Sequence, residues 1–104
     1  MPELIRIQWR DIPSQVIAKA GRKSAKRMLS DRFQQAIDRA AMRAGKGGSD
    51  AYMEDWERLR EPCEGDLEET AERAAADIEA AWTDEQLDAI ARARGVRADM
   101  KGSD

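Results

Sequence analysis

A chain of 104 residues, 41% hydrophobic and 38% charged, fits one domain with a small core and is too rich in apolar residues for a disordered polymer. It contains no histidine and one cysteine, Cys63, which removes the commonest general base and transition-metal ligand, any intramolecular disulfide and a zinc site of the usual kind. The net charge of −3 conceals a division: residues 1–45 carry ten Lys/Arg against four Asp/Glu, and residues 46–104 carry eight against seventeen.

Residues 3–9 alternate, with Ile5, Ile7 and Trp9 against Leu4, Arg6 and Gln8, which predicts a strand with one strongly apolar face. Arg10-Asp11-Ile12-Pro13 breaks the pattern, because proline cannot donate to a central ladder. Residues 14–20 offer a second strand with Val16, Ala18 and Ala20 on one face, so the opening of the chain reads as a hairpin. Gly21 ends it, and Arg22-Lys23-Ser24-Ala25-Lys26-Arg27 reads as a basic connection. Ser30 stands where a helix N-cap is wanted, and Phe33, Ile37, Ala41 and Ala44 then recur at helical spacing as far as Gly45.

Gly45-Lys46-Gly47-Gly48-Ser49 reads as a linker. It follows a helix rather than a strand and lacks the Gly-x-x-x-x-Gly-Lys-Ser/Thr spacing of a phosphate loop. A second helix is expected from Ser49 or Asp50, with Tyr52, Trp56 and Leu59 at i, i+4, i+7 and Glu54 facing Arg58. Residues 61–66 stop it and are available as a short third strand. A third helix carries Leu67, Ala71, Ala74, Ala75, Ile78 and Trp82 on one side, its acids forming an ordinary solvated face. Thr83-Asp84-Glu85-Gln86 matches a capping box and opens a short fourth helix with Leu87, Ile90 and Ala91 inside. The predicted fold is therefore α+β. An N-terminal β-hairpin, with that short third strand in reserve, packs against three to four α-helices in a single domain over residues 1–95, and a flexible tail follows at 96–104.

The residue types predict no catalytic, cofactor-binding or metal-ligating set. Cys63 lies among Glu61, Glu64 and Asp66, which would raise a thiol pKa and so oppose nucleophilic use. Two features point outward instead. Lys19, Arg22, Lys23, Lys26 and Arg27 place five cations within nine residues, a candidate anion-binding segment. Arg32, Arg39 and Arg43 share a helix face, to be met either by acids of the C-terminal half or by an external anion. Nucleic acid is disfavoured by the net negative charge and by the lack of aromatics among these bases.

A two-stranded hairpin is marginal in water, so a protein partner is the second expectation, with Trp9, Arg10, Asp11, Ile12, Pro13, Arg39 and Arg43 as candidate contacts. Trp9 and Trp56 are residues of a kind found more often in a core than at a contact hot spot. The opening Met1-Pro2-Glu3-Leu4 lacks the basic and apolar regions of a secretory leader, and no apolar run approaches the roughly 20 residues of a membrane span. The cytoplasm is the expected compartment, and a homo-oligomer stays open.

Two segments carry a resemblance: Trp9-Arg10-Asp11-Ile12-Pro13-Ser14-Gln15-Val16-Ile17, and Arg32-Phe33-Gln34-Gln35-Ala36-Ile37-Asp38-Arg39-Ala40-Ala41-Met42-Arg43-Ala44-Gly45. With Ser49-Asp50-Ala51-Tyr52 and Trp56, they resemble a small bacterial "virulence factor" family, related to a segment of conserved virulence factor C proteins. The resemblance implies no catalytic residues. It suggests an association with tetrahydrofolate- and corrinoid-linked one-carbon enzymes, near whose genes such proteins occur, and so a non-catalytic accessory role beside a larger enzyme.

Overall fold

The computed structural model describes residues 2–45 and 53–97. Four strands, β1 (Glu3–Trp9), β2 (Ile12–Ala20), β3 (Lys23–Met28) and β4 (Trp56–Pro62), form one antiparallel sheet in the order β3-β2-β1-β4. Three helices are bounded within the described residues: α1 (Asp31–Arg43), α2 (Leu67–Ala81) and α3 (Asp84–Arg92). The α+β class and the first hairpin agree with the sequence reading, and the sheet is larger than expected.

Both added strands replace other expectations. The basic segment at 22–27 is an edge strand and not a connection. Gly21, at φ 61°, and Arg22 make a two-residue loop that returns the chain, so Lys23 stands opposite Ala20 and Ala25 opposite Ala18. Trp56 and Leu59, expected on a helix, lie on β4, where Trp56 pairs with Trp9 and Leu59 with Arg6. The proposed Glu54–Arg58 helical pair therefore does not form, because Arg58 belongs to that strand. Pairing to the open edge of β1, whose backbone donors and acceptors need partners, outweighs local helical spacing here. The proposed third strand at 61–66 survives only as the end of β4. Ser49, Asp50 and Tyr52 lie outside the described residues.

Pro13 sits inside β2 without cost. The pairing slips between Ile7 and Gln8, and β3 joins β2 only from Gln15 onward, so no neighbour needs the missing N–H. Gln8 Nε2 closes the turn by donating to the Arg10 carbonyl at 2.7 Å.

The helices begin near the expected places. Thr83 and Gln86 form the capping box reciprocally, and Asp66 caps α2 by accepting from Glu69 N. Ser30 behaves differently: its side chain makes no cap bond, and its N and Oγ both donate to the Glu79 carboxylate, at 2.6 and 3.0 Å. That contact ties the start of α1 to the end of α2.

Helix α2 covers β2 and β3, seating Ala71 and Leu67 against Val16, Ala18 and Ala25. Helices α1 and α3 pack together and, with Trp82 and Ile78 of the α2 end, enclose Trp9, Ile12, Phe33 and Ile37 in the main core. No helix among the described residues is long and apolar enough to cross a membrane.

Candidate functional site

The pleat of the sheet decides which side chains meet. Cross-strand partners share a face, and neighbours along a strand point to opposite faces. Val16, Ala18 and Ala25 meet α2, so Leu4, Arg6 and Arg27, their register partners, lie on the helix side. The other face is built in rows across all four strands. One row runs Lys26, Ile17, Ile5, Arg60; the next runs Met28, Gln15, Ile7, Arg58; a third contains Ser24, Lys19, Glu3 and Pro62.

The sequence reading placed Ile5 and Ile7 together with Trp9 on one strongly apolar face. The register sets Ile5 opposite Ile17 rather than beside Val16 and Ala18, so the two isoleucines occupy the side away from α2. Neither core cluster contains Ile5, Ile7 or Ile17. Ile5 is only 4% exposed between its row neighbours, whereas Ile7 and Ile17 are half-buried and Met28 is 64% exposed. The result is an aliphatic centre flanked by four bases (Lys19, Lys26, Arg58, Arg60) and one acid, Glu3, which pairs with Arg60 at 3.0 Å. Lys19, Lys26 and Arg58 have no ion-pair partner among the described residues. The Gln15 amide oxygen is buried and has no hydrogen-bond partner among the described residues.

The candidate anion-binding segment is divided by the same rule. Lys19 and Lys26 lie on this open face, Lys23 and Arg27 on the helix side, and Arg22 in the turn. Arg27 is taken by Glu68 at 2.7 Å, and that hydrogen bond holds its guanidinium pKa above the ordinary value. Five cations within nine residues thus do not make one site, because a strand turns each successive residue through half a revolution.

The candidate partner contacts are mostly internal. Trp9 and Ile12 are fully enclosed and Pro13 is buried, because the hairpin end closes the core, so these three side chains are not presented at the surface. Arg10 stacks over the Trp9 ring, donates from Nε to Asp55 Oδ2 at 3.1 Å and from Nη1 to the Arg94 carbonyl at 2.8 Å. Asp11 accepts from Arg97 N at 2.7 Å.

On α1, Arg32 reaches Glu79 and Asp84, and Arg39 lies 3.7 Å from Asp88, so acids of the C-terminal half do meet these bases. Arg43 is exposed with no ion-pair partner among the described residues. Burial would raise the Glu79 pKa, but hydrogen bonds from Ser30 and Arg32 outweigh it and hold the carboxyl below the usual range.

On the helix side, α2 stops short of β4 and leaves an open groove of about 230 Å³ over Leu4, Arg6 and Val16, bordered by Ala74, Asp77 and Ile78. Cys63 is half-buried and forms no disulfide, with its N–H donated to the Pro2 carbonyl. Among the described residues no group of three or more His, Cys, Asp or Glu is arranged to hold a metal ion.

The open-face residues Ile5, Ile7, Ile17, Met28, Arg58 and Arg60 were not singled out as a site in the sequence. The available signal was the two-residue Gly21-Arg22 gap, which marks a hairpin and with it the register. No curated protein and no solved structure matched the chain. A family model described as "Virulence factor" matches residues 7–91, from the end of β1 almost to the end of α3, and the chain belongs to that virulence factor family.

Proposed function

We propose that this protein is a non-catalytic accessory protein that binds a larger cytoplasmic enzyme through the open face of its sheet. One observation carries the reading: the half-buried Ile7 and Ile17 and the exposed Met28 form an aliphatic strip on a sheet face that no helix among the described residues covers. A sheet ordinarily buries its apolar face against a second layer, and a partner would supply that layer. The family resemblance names tetrahydrofolate- or corrinoid-linked one-carbon enzymes as the first partners to look for.

The test is affinity purification of the tagged chain from its own cells at about 150 mM salt, with and without nuclease, followed by mass spectrometry. A stoichiometric, nuclease-resistant protein supports the reading, and recovery of the bare chain removes it. The pairless Lys19 and Lys26 favour a second reading, an anion-binding module. That reading requires affinity for a polyanion to fall steeply between low and physiological salt, and it is removed if the affinity is indifferent to salt or to a Lys19→Ala/Lys26→Ala double variant.

A further inference from the structure

We infer that the partner surface received by the open sheet face is an acidic protein surface with an aliphatic centre, a proposal that rests on the accessory-protein reading above. The molecule neutralises some of its cations itself. Acids of α2 and α3 reach Arg27, Arg32 and Arg39. These helices lie on the far side of the sheet or at its closed end, and among the described residues none of their acids pairs with Lys19, Lys26 or Arg58. Lys19, Lys26 and Arg58 thus gather on one face of a protein whose net charge is −3, whereas other cations without an ion-pair partner among the described residues, such as Arg6 and Lys23 on the helix side, Arg22 in the turn and Arg43 on α1, are dispersed.

The face pairs that charge with apolar area in fixed geometry. One row sets Lys26 at the β3 edge and Arg60 at the β4 edge with Ile17 and Ile5 between them, and the next sets Met28 and Arg58 at those edges with Gln15 and Ile7 between them. An occupant must offer carboxylates at its margin and aliphatic side chains at its middle, the ordinary anatomy of a protein interface with an apolar core and a polar rim. Nucleic acid fits worse, since the face offers isoleucines where bases would need aromatic stacking platforms. A second copy docking face to face would set Lys19, Lys26 and Arg58 against themselves, which like-charge repulsion opposes.

The tagged full chain, in nuclease-treated lysate of its own cells, is coupled with a zero-length carbodiimide, which joins lysine amines to carboxylates in direct contact. Lys19 or Lys26 is expected to join to Asp or Glu of one protein, while Lys23, on the opposite face, remains uncoupled to it. Without the coupling reagent, K19E/K26E should lower recovery of that protein about tenfold or more, whereas K23E changes it less than about twofold. Coupling of the captured protein through Lys23, or recovery indifferent to K19E/K26E, overturns the assigned surface while leaving the accessory role standing. Coupling to carboxylates of a second copy overturns it in favour of self-assembly, and a complex lost on nuclease treatment overturns it in favour of nucleic acid. Recovery of no partner at all ends both readings.

Discussion

Replacing Gly95 by alanine puts a Cβ 3.0 Å from Trp9 Cζ3 and 3.2 Å from Cε3, at a residue whose φ is 84°. The backbone cannot swing aside easily. Gly95 N donates to the Ile90 carbonyl at 2.8 Å, and its own carbonyl accepts from Asp11 N at 2.9 Å. A left-handed conformation costs an L-residue about 1–2 kcal/mol. Trp9 is 0% exposed, so the ring has nowhere to go, and overpacking of this kind costs about 1–3 kcal/mol. The expected loss is therefore about 2–5 kcal/mol.

Gly21→Ala is the control: its φ of 61° is similarly left-handed, and nothing lies within 4 Å of the new Cβ. It should lose only the conformational part. Urea unfolding followed by tryptophan fluorescence measures both, and at about 4–8 °C per kcal/mol the Gly95 variant should melt at least about 8 °C below wild type. Trp9→Phe in the Gly95→Ala background should be less destabilised than the sum of the two single variants, because the smaller ring relieves the clash. Equal losses for the Gly95 and Gly21 variants, within about 0.5 kcal/mol, would refute the claim that this turn closes directly on Trp9.

Glu79→Gln removes the carboxylate that ties Ser30 and Arg32 to α2. Because the folded pKa of Glu79 is depressed, its contribution is fully present above the unfolded value of about 4.3 and is lost as pH falls through the folded value. The urea-midpoint gap between wild type and variant should be largest near pH 7 and should narrow below about pH 4, and a gap that widens on acidification would contradict the assignment. Thr83→Ala breaks the capping box of α3 and should cost about 1 kcal/mol in the same assay. Ile37→Ala, at a position 0% exposed in the main core, should cost about 2–5 kcal/mol, and a loss under about 1 kcal/mol would mean that α1 is not seated as described.

The helices were legible because their signals are local. Phe33 and Ile37, Leu67 and Ala71, and the Thr83–Gln86 box act within one or two turns and need no knowledge of the rest of the chain. The edge strands were not legible, for the complementary reason. β3 buries a single apolar residue, Ala25, so its period of two is carried by lysine and arginine and looks like a charged connection. β4 is exposed along nearly its whole length, and its Trp56–Leu59 spacing imitates a helix turn. What makes it a strand is the edge of β1, more than forty residues earlier in the chain, and a window of sequence contains no trace of that partner.

The same limit keeps a charge count from showing which cations share a surface. A count of charges along 19–27 finds five cations and suggests one patch, but whether two of them share a surface depends on the parity of their separation and on the register of the strand beside them. Lys26 and Arg27 are neighbours in sequence and stand on opposite faces of the sheet, where Arg27 finds Glu68 and Lys26 finds Ile17 and, across the sheet, Arg60. Charge asymmetry between the halves of the chain therefore has two physical components that composition cannot separate. One is consumed inside the fold, by α2 and α3 against β3 and α1. The other has no ion-pair partner among the described residues, partly on the side of the sheet that those helices do not reach, at Lys19, Lys26 and Arg58, and partly elsewhere, as at Arg43, and that remainder is available to attract something else.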